Sequence, residues 1–150
     1  MVQKSLTAMG MLLLACMATT GAGAAQPAAK GYSLTVEVTG AKETTGVVRA
    51  ALFNDPAAFP DGKFSQDAAV PLKGKNSVRL VFRNLPAGTY AISLYHDADN
   101  NDKFGKTLGL PKESYGFSVV KDAVLSKPEF DDAKFEVKKN TSITIPLLGP

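Results

Sequence analysis

The chain has 150 residues, a length that suits one domain with its own core and leaves little room for two. Hydrophobic residues make up 45% and charged residues 21%, which argues for a packed domain and against wholesale disorder. The formal charge of +3 comes from basic residues scattered among acidic ones, so nucleic acid is not an expected partner.

The first residues have the layout of a secretory signal peptide over 1–25. Lys4 is a basic start, Leu6–Ala18 is mostly apolar, and Ala22-Gly23-Ala24 or Gly23-Ala24-Ala25 is a small-residue cleavage site. The apolar stretch is shorter than the ~20 residues that a permanent bilayer-crossing helix needs, so no transmembrane span is expected in the mature protein. A periplasmic or secreted location follows. Cys16 is the one cysteine and falls inside this leader, leaving the mature domain no disulfide and no thiolate chemistry. Leu13-Leu14-Ala15-Cys16 also resembles a lipoprotein box, so a lipid anchor at Cys16 is the alternative fate of the leader.

Residues 26–30 read as a flexible lead-in, and a single domain is expected over 31–150. From Tyr32 the apolar period is two: Tyr32, Leu34, Val36 and Val38 alternate with polar residues, as in a strand with one buried face. The same period predicts strands through Val48–Leu52, Val78–Phe82, Tyr90–Leu94, Ala133–Val137 and Ile143–Leu147. A short seventh is expected at Val70–Leu72. Pro71 and Pro146 belong at sheet edges, because proline cannot donate to a ladder. With turn residues between them and no capped helical stripe, these segments predict an all-β, antiparallel β-sandwich of about seven strands. Ala98–Asp131 breaks the pattern. It is far longer than ordinary connections, which marks it as the place to look for function.

The loop His96–Lys103 opens that stretch. Asp97, Asp99 and Asn101 stand at the first, third and fifth positions of a calcium-loop spacing, with the Lys103 carbonyl at the seventh, so successive oxygens can turn toward one hard cation. The second half of the motif fails. Asp102 stands where the sharp turn wants Gly, Leu108 where a bidentate Glu belongs, and Glu113 would have to fold back as the missing ligand. The alternative is a metal-free loop in which Asp and Asn bond their own backbone.

His96 is the only histidine, and its parity with Ile92 and Leu94 aims it at the core. Neighbours along a strand point to opposite faces, so His96 and Asp97 make no dyad. A hydrolase would need His96 with Asp99, Glu113 or Asp131. Tyr115, Phe117 and Phe130 are candidates for an aromatic binding patch, or for plugs that tie the long loop to the core. Asp131 is a turn residue or a second carboxylate source.

Asn84-Leu85-Pro86-Ala87-Gly88-Thr89-Tyr90-Ala91, His96-Asp97 with its Asn/Asp run, Gly109-Leu110-Pro111-Lys112-Glu113, Tyr115-Gly116-Phe117-Ser118 and Phe130-Asp131-Asp132-Ala133-Lys134-Phe135 occur in this order. Together they resemble a bacterial family of exported domains of unknown function, over roughly Tyr32–Leu147. The resemblance implies a prealbumin-like or carboxypeptidase-regulatory-like sandwich of Greek-key type, and no established activity. The family's loop tends to read His-Asp-x-Asn-x-Asn-Gly with a later Asp; here Asp102 replaces that Gly and Gly105 the later Asp. Transthyretin-like hydrolases share the broad fold, but their Tyr-Arg-Gly-Ser ending and paired histidines are missing here. The expected function is therefore a non-enzymatic envelope domain that binds a protein, glycan or small ligand through loops at one end, organised by calcium. A hydrolase and a passive structural module are the alternatives.

Overall fold

The computed structural model describes residues 31–122 and 126–150; the expected leader, Cys16 and lead-in lie outside them. Alternating sequence becomes strand where predicted in β1 (Tyr32–Thr39), β2 (Val47–Phe53), β4 (Val78–Leu85) and β5 (Gly88–Asp97), while β3 (Gln66–Pro71) starts earlier than the expected Val70–Leu72 and ends before Leu72. The long connection contains more structure than its sequence suggests. It forms a hairpin, β6 (Lys106–Thr107) with β7 (Leu110–Pro111), then β8 (Tyr115–Phe117) and one helical turn, α1 (Phe130–Ala133). The chain then enters β9 (Phe135–Val137) and β10 (Thr141–Pro146). Ala133, expected on a strand, is in the helical turn instead.

Two sheets face each other. The smaller has the order β10-β1-β4; the larger has β3-β2-β5-β8, with β9 also pairing β5. The segments containing Pro71 and Pro146 are at edges, as the missing N–H requires. Pairing is antiparallel except between β1 and β10, which run parallel from Leu34↔Thr141 to Thr39↔Pro146. Direction explains the exception. The turns between β4 and β5 and between β9 and β10 each reverse the chain while moving it from one sheet to the other, so β10 returns pointing the same way as β1.

Between the sheets lie Leu34, Val36 and Val38 of β1, Leu80, Phe82 and Leu85 of β4, Val48, Ala50 and Leu52 of β2, and Tyr90, Ile92 and Leu94 of β5. Each large side chain here contributes about 1.5–3 kcal/mol by leaving water. Tyr90 buries its ring and donates its hydroxyl to the Pro86 carbonyl at 2.9 Å, which pins the turn into β5.

The larger sheet is not one-sided. On its outer face Phe53, Ala91, Phe130 and Ala133 form a second buried cluster, with Phe59 and Phe117 packed against it. Ser118 ties the cover down, accepting from Ile92 N at 2.8 Å and donating to Ala133 O at 2.5 Å. Among the described residues no helix is long and apolar enough to cross a membrane.

Candidate functional site

The end of β5 sends consecutive residues to opposite faces. His96 turns inward, nearly buried, and its Nε2 lies 2.6 Å from the Thr45 carbonyl. A carbonyl only accepts, so Nε2 carries the proton. Among the described residues His96 makes no hydrogen bond or ion pair with a carboxylate, and the pairing that a hydrolase needs is not formed. Gly46 lets the neighbouring loop come this close. Its φ is +81°, and a Cβ there would lie 2.4 Å from the Asp97 carbonyl oxygen and 2.8 Å from Ala98 Cα.

Asp97 turns to the outer face and has no solvent exposure. Its Oδ1 accepts from Asn101 N at 2.9 Å; its Oδ2 accepts from Asp102 N at 3.0 Å and from Arg49 Nε at 2.7 Å. Arg49 reaches it because β2 pairs β5 with Arg49 opposite Tyr95, two residues before Asp97 and therefore on the same face. The same guanidinium also pairs with Asp102. Burial is the largest influence on Asp97 and favours its neutral form. Arg49 and the two backbone amides together outweigh it and hold the carboxyl below its ordinary value. The hydrogen bond to Asp97 raises Arg49 correspondingly, against burial, with Asp102 assisting.

The loop thus bonds its own backbone and also gathers acids. Asn101 donates from Nδ2 to Asp99 Oδ2 at 2.8 Å and accepts from Lys103 N at 2.8 Å. Asp102 takes up the left-handed turn that its position wants, with φ of 63°, although it is not glycine. Leu108 contributes no ligand and is exposed at the hairpin tip. Glu113 does fold back: Asp97, Asp99 and Glu113 offer carboxylate oxygens all within 4.8 Å of one another. Oxygens at that spacing suit a cation bonding at about 2.3–2.6 Å, the calcium range. Glu113 Oε2 accepts from Gly105 N at 2.8 Å, which closes the base of the hairpin onto the loop.

Asp131 does not join this group. It sits on α1, just ahead of Phe135 of β9, which pairs with Tyr90, whereas Asp97 lies seven residues further along β5, roughly 23 Å away along an extended strand. Asp131 pairs instead with Lys134 at 2.9 Å. Phe130 is likewise a plug, buried edge-on to Phe59 at 6.0 Å.

Tyr115 and Phe117 are placed differently. They belong to an aromatic row on the outer face of the larger sheet. From Tyr95 it runs to Phe104 at 5.6 Å, Tyr115 at 6.3 Å, Phe117 at 5.8 Å and Phe59 at 6.0 Å between ring centres. Above the row lies a groove of about 700 Å³, walled by Phe53, Phe64, Tyr95, Phe104, Leu110, Tyr115 and Phe117, with Lys106 and the ion pair of Lys127 with Asp61 as its charges. Burial first, then the Asp97 charge, push the Tyr95 hydroxyl above its ordinary value and keep it a neutral donor. Sequence reading missed Arg49, Tyr95, Phe104 and Phe59. Their one common signal is apolar or long side chains at the nominally outward positions of β2, β5 and the adjoining loops.

The class defined is a two-sheet all-β domain with an acidic rim loop beside an aromatic groove. Residues 36–144 match the family described as "Uncharacterized protein conserved in bacteria (DUF2141)", and the chain belongs to that family. No curated protein and no solved structure matches it.

Proposed function

We propose that this is an exported, non-enzymatic binding domain that seats a small apolar ligand in the groove over the aromatic row, beside a loop organised by calcium. The groove is the observation that carries the reading: concave, mostly apolar, with a few polar groups and two lysines, it has the makeup of a ligand site. Lys127 is paired with Asp61 at the groove, and Lys106, which forms no ion pair among the described residues, favours a ligand with an anionic end. Asp97, Asp99 and Glu113, with the Asn101 side chain and the Lys103 carbonyl, are the proposed calcium ligands. Glu113 links them to the groove, because it bonds Gly105 at the root of the hairpin that supplies Leu110 to the wall. Arg49 already holds Asp97, so the ion would have to share that carboxylate, and moderate affinity is expected.

Anilinonaphthalene sulfonate, an apolar ring system with one anion, tests the groove. Saturable fluorescence enhancement that Phe104→Ala weakens severalfold is expected; no saturable signal from the folded protein overturns the ligand site. Thermal melts with calcium and with chelator test the loop. A site filled to ten times its Kd adds about 1.4 kcal/mol. Asp99→Ala should remove the shift, and no shift at millimolar calcium removes the ion from the proposal.

A further inference from the structure

Lys106↔Pro111 and Thr107↔Leu110 pair in the hairpin, leaving Leu108 and Gly109 as its two-residue turn. Both are left-handed, with φ of 51° and 81°. Such turns are normally made from Asn-Gly, Asp-Gly or Gly-Gly, which suit both that backbone and water. Leu108 suits neither, being bulky, apolar and 98% exposed; Leu110 is 68% exposed. Around them Lys103, Lys106 and Lys112 are all exposed, and residues 103–112 contain no acid. None of these three lysines forms an ion pair among the described residues. Of the nearby acids at the hairpin's base, Asp102 is paired with Arg49, Glu113 accepts from Gly105 N and Asp99 accepts from Asn101 Nδ2.

We propose that the hairpin Lys106–Pro111 is a membrane-docking tip. Leu108 and Leu110 enter the interface of a bilayer containing anionic phospholipid, and Lys103, Lys106 and Lys112 meet its phosphates. Two projecting leucines are far too little for a stable protein interface, which buries about 800 Å² per partner. A bilayer demands no complementary shape, only apolar side chains ahead of a ring of cations whose stems follow them in. Charge selects the lipid, since unpaired lysines near an anionic surface each strengthen binding.

The chain contains no tryptophan, so Leu108→Trp in the full chain is a single reporter at an exposed position. Lys139→Trp is the control. It follows β9 at the opposite end of the sandwich and also accounts for any lipid binding by the apolar segment Leu6–Ala18. With vesicles of phosphatidylcholine and phosphatidylglycerol, emission at 108 should shift to the blue and be quenched by brominated acyl chains, while emission at 139 stays unchanged. On phosphatidylcholine alone, or with Lys103, Lys106 and Lys112 all changed to Gln, the affinity read at 108 should fall roughly tenfold or more. The proposal is overturned by an unshifted signal at 108, by equal shifts at 108 and 139, or by a shift indifferent to anionic lipid or to the lysines.

Discussion

Asp97 shows how one buried carboxylate can organise a loop. Three N–H groups from Arg49, Asn101 and Asp102 meet its two oxygens, so an amide in its place must turn a donor toward a donor. Asp97→Asn should therefore cost about 2–3 kcal/mol at neutral pH, read by urea unfolding. The pH dependence has a definite sign. Because folding holds Asp97 below its ordinary value, its stabilisation is complete above that value and is lost as pH falls through it toward the folded one. The gap between wild type and Asp97→Asn should close as pH is lowered from about 5 toward 2; a gap that widens in acid would contradict this assignment. That His96 faces inward and Asp97 outward was legible from parity alone. That Arg49 would meet Asp97 was not, because cross-strand register is set by pairing between distant segments.

At the scale of elements, β8 depends on Gly116. A Cβ there would stand 2.8 Å from the Pro146 carbonyl oxygen and 2.9 Å from Ile145 Cγ2, so β8 crosses the end of β10 with no room for a side chain. Gly116→Ala should cost about 1–3 kcal/mol, and hydrogen exchange should show Tyr115 and Phe117 amides losing protection first. The strands were legible wherever one face is apolar, as in β1, β4 and β5. In β2 the run Val47-Val48-Arg49-Ala50-Ala51-Leu52-Phe53 is apolar on both faces save for Arg49, and only the fold reveals that Phe59, Phe117 and Phe130 cover the Ala51 and Phe53 end of the second. That Phe130 and Asp131 lie away from the acidic loop was not legible for a related reason. A sequence shows that a strand forms, but not at which height it joins its neighbour.

For the whole molecule, the two sheets share one interior to which Ile145 of β10 contributes from an edge strand with no exposure. Ile145→Ala should cost about 2–4 kcal/mol, and circular dichroism and tyrosine fluorescence should still report one coincident transition. Two separate transitions would mean that the sheets unfold independently. The sandwich itself was readable from the spacing of strands and turns. The parallel direction of β10 was not, since alternation looks the same whichever way a strand runs.

That parallel pairing governs the order of events during synthesis. The backbone N of Ser33 is held by Asn140 Oδ1 across 107 positions, and β1 gains its second neighbour only from residues 141–146. A ribosome feeding out this chain therefore delivers β1 well before its lateral partner, which follows more than 100 residues later. Until then the nascent chain carries an open sheet edge, a species on which holding chaperones act.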